Sequence, residues 1–304
     1  MLLSHRVACR PLLQPFVALV QQQLHAFSGR DLALLLWSLA QLGHRPPAAW
    51  LAAYEQAAQQ ALPTCSLQDV SMMVAATGGL SWLPAGLAAD LLERSGQLLL
   101  AGATAAEPPA VTPAMLAAFA AGLVSWQKIE LRCRRQAGAA SIDPAAASSD
   151  PAAASQHSSL PSTAAWHSLL AAWVQASEPR LQASSPSQLT MMGIAAISLR
   201  ARTSSAWRAA WLASTMSHGS GMTAEQAVTA MSVAARLRLQ PPAAWAAAVL
   251  ELADSSLPQL RRAHVRQLQA AAHALHARGC LPAAQVQQAQ HMWRRWHELH
   301  DVPT

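Results

Sequence analysis

With 304 residues, 52% of them apolar, the chain has ample material for a core, but only four of its side chains are Tyr or Phe. Ala dominates and Gly is scarce, a composition that favours helices and argues against strands anywhere. The net charge is +6, and Cys9, Cys65, Cys133 and Cys280 lie far apart with no CxxC, which argues against a disulfide framework and a zinc site and suits a reducing compartment.

Leu2 to Phe27 predicts a capping helix or partial hairpin, with Leu12, Phe16, Leu19, Val20 and Leu24 on one face. From Ser28 the chain repeats. Repeats open at Ser28, Ser66, Thr112, Ser185, Thr223 and Arg261, and the steps 28 to 66, 185 to 223 and 223 to 261 are each 38 residues. Extra residues near Ala101 to Val111 lengthen one of the other steps, and an insert in the third repeat lengthens the next.

Each repeat opens with an amphipathic helix of about four turns. Its core columns are Leu32, Val70, Leu116, Leu189, Ala227 and Val265 at the fifth place, and Leu42, Leu80, Trp126, Leu199, Leu237 and Leu275 at the fifteenth. Leu35, Met73, Phe119, Met192, Ala230 and Leu268 continue the same stripe at the eighth place. A Ser or Thr leads five of the six repeats and reads as an N-cap, with Asp31 and Asp69 three residues on in the first two. The breaks Gly43-His44-Arg45-Pro46-Pro47 and Arg238-Leu239-Gln240-Pro241-Pro242 end this helix and admit the next.

The second helix carries Trp50, Trp166, Trp207 and Trp245, followed one turn later by Tyr54, Leu170, Trp211 and Val249. A Trp recurring at one helical place reads as packing between repeats rather than as a platform for a base. In the third repeat, Gln136 to Thr163 is almost wholly Ala, Ser and Pro and predicts a disordered surface loop in place of the turn. Ala283 to His300 predicts a terminal helix with a polar outer side. The fold class expected is all-α, an α-solenoid of about six αα-hairpin repeats of 38 residues over 28–304, preceded by the 1–27 cap region.

Charge is uneven along this array. Residues 1–179 hold nine Lys plus Arg and ten Asp plus Glu, whereas 180–300 hold twelve and four. Arg45, Arg202 and Arg278 share one column, and Arg200, Arg238 and His276 another two residues earlier, all at the end of a first helix. Cations at a repeated register suit a phosphate backbone; the alternative is that they answer the helix macrodipole. Phosphate contacts are therefore expected from Arg45, Arg200, Arg202, Arg236, Arg238 and Arg278.

Enzymatic patterns are sparse. His273 with His276 and His297 with His300 are spaced for a metal but lack a third ligand, Gly219-Ser220-Gly221 lacks the Lys-Ser/Thr of a phosphate loop, and no carboxylate pair stands out. No enzyme, cofactor, metal or small-molecule substrate is expected. Pro113 to Trp126 is apolar but too short to cross a bilayer.

The run Leu32-Ala33-Leu34-Leu35-Leu36-Trp37-Ser38-Leu39-Ala40-Gln41-Leu42-Gly43, followed by Pro46-Pro47-Ala48-Ala49-Trp50-Leu51, resembles the octotricopeptide repeat of green algae, and Met231 to Trp245 is the next best match. The resemblance covers about Ser28 to Val302. It implies a nucleus-encoded binder of single-stranded RNA in a chloroplast or mitochondrion, acting on transcript stability, processing or translation, with possible protein partners. Six repeats make a short array for the family, and no nuclease-like module is present to imply RNA cleavage. Three Arg and no acid before Asp31 are compatible with a presequence, though the stretch is short for one, so a vestigial presequence or a partial gene product is expected.

By analogy with helical-repeat RNA binders, bases would be read by polar side chains at the third and fourth places. These are Arg30, Asp31, Gln68, Asp69, Ser187, Gln188, Glu225, Gln226 and His264. The alternative is a protein-binding scaffold of the armadillo or HEAT kind, which shares the architecture without the basic register.

Overall fold

The structure, a computed structural model, describes residues 10–84, 86–104, 111–142 and 163–300. Among these residues it is all-helical, with no strand. The chain divides into two compact bodies, one running to Ala176 and the other starting at Ser177.

The first body holds α1 (Arg10–Gln21), α2 (Gly29–Gln41), α3 (Ala48–Ala61), α4 (Leu67–Gly79), α5 (Leu87–Thr104) and α6 (Pro113–Ile142), and α7 (Thr163–Ser177) closes it. Helices pack on the next helix but one: α2 on α4, α4 on α6, α1 on α3 and α3 on α5. In the second body, α8 (Pro186–Ser198), α10 (Ala224–Arg236) and α12 (Arg262–His276) form one such series. α9 (Ser205–Ser217) packs on α8, and α11 (Ala243–Ser255) packs on α10 and on α13 (Ala283–His300).

The starts of the first helices follow from local chemistry. Ser28, Ser66, Ser185 and Thr223 each accept the backbone N–H three residues on, and Asp31, Asp69, Gln188 and Gln226 accept the N–H of the cap in return. These are reciprocal capping boxes, which satisfy two otherwise orphaned donors at each helix start. Thr112 Oγ1 accepts from the Met115 N–H in the same way at 3.3 Å. Arg261 holds the sixth start without a side-chain bond.

The fifth-place column is buried throughout. From the second helices, aromatic groups reach back to three of its carbonyls: Tyr54 Oη donates to Leu32 O (3.1 Å), Trp173 Nε1 to Leu116 O (3.2 Å) and Trp211 Nε1 to Leu189 O (2.9 Å). Buried indole and phenol groups need such a partner, and a helical carbonyl has a second lone pair to offer. This register corrects the expectation for the third unit: Trp173, fully buried, is the counterpart of Tyr54 and Trp211, and Trp166 is half-exposed. Leu35 is likewise only half-buried, its neighbour Leu36 taking the interior place.

Two further expectations change. The expected apolar face of α1 is turned, so that Val17, Val20 and Leu24 are buried whereas Leu12, Phe16 and Leu19 are exposed. Val17 and Val20 lie one turn apart on α1, which packs on α3, and Leu24 follows in the short 3-10 turn after it, which also packs on α3. The helix that holds Trp126 does not stop near it but continues as α6 to Ile142, seven residues into the expected loop. Between Trp126 and Gly138 the chain holds neither Gly nor Pro, and its Leu, Arg, Lys, Glu, Gln and Ala residues are good helix formers. Thr163, the expected end of that loop, already opens α7, and the part between, 143–162, lies outside the described residues, as do residues 1–9 of the cap region.

Candidate nucleic-acid interface

Five first helices end in the same hydrogen-bonded turn. The N–H groups of Gly43, Ser81, Arg200, Arg238 and Gly279 reach the carbonyls of Ala40, Gly78, Ile197, Ala235 and His276, and the next residues reach Leu39, Thr77, Ala196, Ala234 and Leu275. This is the Schellman arrangement, and it requires a left-handed residue at its centre. The φ angles are +66° at Gly43, +51° at Ser81, +54° at Arg200, +57° at Arg238 and +72° at Gly279.

Glycine takes this conformation without penalty, but a residue with a β-carbon meets its own carbonyl at a cost of about 1–2 kcal/mol. α8 and α10 therefore carry Arg at places where glycine would be easier. The sequence holds the signal, because Gly43, Ser81, Arg200 and Arg238 occupy one column, but the requirement for positive φ becomes visible only with the turn.

Arg200 and Arg202 follow α8, and Arg236 and Arg238 sit at the end of α10, which packs on α8. All four are exposed, and no hydrogen bond or ion pair engages their guanidinium groups among the described residues. Arg45 holds the corresponding exposed place after α2 in the first body.

Arg278 differs. Its Nε donates to Ala274 O (2.9 Å), Nη2 to Ala235 O (2.8 Å) and Nη1 to Leu239 O (3.5 Å). It thus closes the carbonyl end of the neighbouring α10, the dipole-answering role, with most of its donors occupied. At the other end of the same two helices, Glu225 lies 3.4 Å from His264 Nδ1 and 3.9 Å from Arg261. α10 and α12 therefore run parallel, with like ends together.

The residues expected to read bases sit at the N-terminal ends. Asp31, Asp69, Gln188 and Gln226 are engaged in the capping boxes, and Glu225 and His264 face each other. The Ser28 hydroxyl, followed by its backbone N–H, holds the Asp31 carboxyl below the ordinary carboxylate range. Arg30, Gln68 and Ser187 are exposed. A helix of 13 residues such as α10 is about 20 Å long, so the residues expected to read bases and those expected to hold phosphates stand at opposite ends of each helix. One nucleotide does not reach both.

Other chemistry is quiet. Burial pushes the Cys65 thiol up to about 11, so it is neither a thiolate nor a nucleophile near neutrality. His276 Nδ1 pairs with Leu281 O (2.7 Å), His300 Nδ1 with Trp296 O (2.9 Å) and His273 Nε2 with Gln290 Nε2 (3.2 Å). Among the described residues no group of three or more His, Cys, Asp or Glu is placed to hold a metal ion. No described helix is long and apolar enough to cross a membrane. Neither a protein-family model nor a curated protein sequence matches the chain.

Proposed function

We propose that the chain is an α-solenoid of six αα-hairpins with a 38-residue period that binds single-stranded RNA, its phosphates lying along the C-terminal ends of the first helices. The observation that carries this reading is the pair Arg200 and Arg238: exposed cations, unpaired among the described residues, at two neighbouring helix ends, in a backbone conformation that disfavours them. A strained conformation kept at a surface place points to a role outside the fold. Arg202 and Arg236 extend the patch, and Arg45 supplies an equivalent charge in the first body. Arg278 contributes mainly to packing.

The resemblance to octotricopeptide repeats extends the proposal to an organelle, chloroplast or mitochondrion, and to the stability, processing or translation of a transcript. The protein-scaffold reading has one observation in its favour, the exposed stripe Leu12, Phe16 and Leu19 on α1.

The test is a quadruple Gln variant at Arg200, Arg202, Arg236 and Arg238. It is expected to weaken binding to every single-stranded RNA and to flatten log affinity against log salt by about 0.7 for each phosphate no longer neutralised. Unchanged affinity and slope in a folded variant would favour the scaffold.

A further inference from the structure

If phosphates follow the C-terminal ends of the first helices, the bases must be recognised near those ends, since the capping residues lie a helix length away. In the first body that edge carries two cavities, one on each side of Arg45. The first, about 260 Å³, lies between α1 and the turn after α2, and is bordered by Gln14, Val17, Gln21, His44 and Arg45. The second, about 220 Å³, lies between that turn, α3 and the turn after α4, and is bordered by Arg45, Leu51, Glu55, Trp82 and Leu83.

His44 and Trp82 are equivalent in the fold. Each directly follows a left-handed residue and donates its N–H to the carbonyl five residues back, Leu39 and Thr77. Each therefore brings a planar ring to the same place in successive helix ends. Nε2 of His44 is buried and finds no hydrogen-bond partner among the described residues. Trp82 is half-buried, with its ring edge-on to Tyr54 at a centroid distance of 6.1 Å. Glu55, which also borders the second cavity, forms no ion pair with Arg45 among the described residues, and its Oε1 accepts the backbone N–H groups of Gly86 and Leu87 at the start of α5.

We propose that the two cavities take two successive bases of single-stranded RNA, one against His44 and one against Trp82, with Arg45 on the phosphate between them. A ring, a free cation and a second ring in sequence are the elements of a single-strand binding site, in which stacking holds the bases and charge holds the backbone. This inference rests on the RNA-binding reading above.

The test compares a short oligoadenylate with an abasic strand of equal length, by fluorescence anisotropy with the full chain. Wild type is expected to favour the base-bearing strand. Trp82→Leu and His44→Ala are each expected to reduce that preference by about 5-fold or more, the range for unstacking one base, while Trp82→Phe keeps it. Arg45→Gln is expected to weaken both strands equally and to flatten the salt dependence by about 0.7. Circular dichroism checks folding, and His44→Ala carries the test if Trp82→Leu unfolds. A wild type without preference, or a preference unchanged in the folded Trp82 and His44 variants, overturns the inference while RNA binding stands. No binding of either strand overturns the RNA reading itself.

Discussion

Replacing Arg200 and Arg238 together, once by Ala and once by Gly, separates the strain at these places from their charge. Both double variants lack the same cations and the same favourable interaction with the helix dipole. Only the Gly variant relieves the left-handed backbone, at +54° and +57°, by removing the β-carbon. That relief is worth about 1–2 kcal/mol per site, offset by about 0.5–1 kcal/mol for the greater freedom of Gly in the unfolded chain. The Gly variant should thus exceed the Ala variant by about 0.5–1 kcal/mol per site, or about 1–2 kcal/mol for the pair. Thermal unfolding by circular dichroism should show it as a rise of about 3–8 °C. RNA affinity should fall equally in both, with the salt slope flattened by about 1.4. An Ala variant as stable as the Gly variant would refute the strain, and with it the main reason for assigning these arginines a role outside folding.

Arg278→Gln should lower the denaturation midpoint by leaving the Ala235 and Leu239 carbonyls without their donor, at a cost of about 1–3 kcal/mol, while leaving the salt dependence of RNA binding nearly unchanged. Trp211→Phe should destabilise more than Trp50→Phe in urea titrations, because Trp211 Nε1 bonds Leu189 O whereas Trp50 Nε1 is buried without a partner among the described residues. Gly122→Ala should cost about 1–3 kcal/mol, since its β-carbon would stand 2.6 Å from Val74 O and force α4 and α6 apart. Gly96→Ala, whose nearest neighbour is Leu169 Cδ1 at 3.9 Å, should instead stabilise by about 0.5–1 kcal/mol, and equal effects at the two glycines would contradict the close approach.

What was legible in the sequence is what depends on a few adjacent residues. A capping box needs only Ser or Thr and an acceptor three places on, and the caps stand at Ser28, Ser66, Thr112, Ser185 and Thr223. The fifth-place column was equally plain, because one apolar residue falls at the same distance from each cap. Long-range choices were not. Trp166 and Trp173 both suit a helix, and only the bond from Trp173 to Leu116, 57 residues away, decides between them. α1 has two possible apolar stripes, and its packing on α3 selects one. At the candidate site, the repeated arginines could be read as charges, but not that Arg278 would reach across to α10 while Arg200 and Arg238 would not.

Several helix ends are completed by side chains from elsewhere in the fold. Glu55 of α3 receives the first N–H groups of α5, Glu178 accepts from Ser204 at the start of α9 (2.8 Å), and Arg278, after α12, covers the last carbonyls of α10. A segment that opens therefore also uncovers a neighbour's backbone, so fraying in either body should propagate from one helix to the next rather than stay local. In hydrogen exchange, the first amides of α5 should exchange together with the turn of α3 that carries Glu55, although 31 residues of sequence, α4 among them, lie between Glu55 and Leu87.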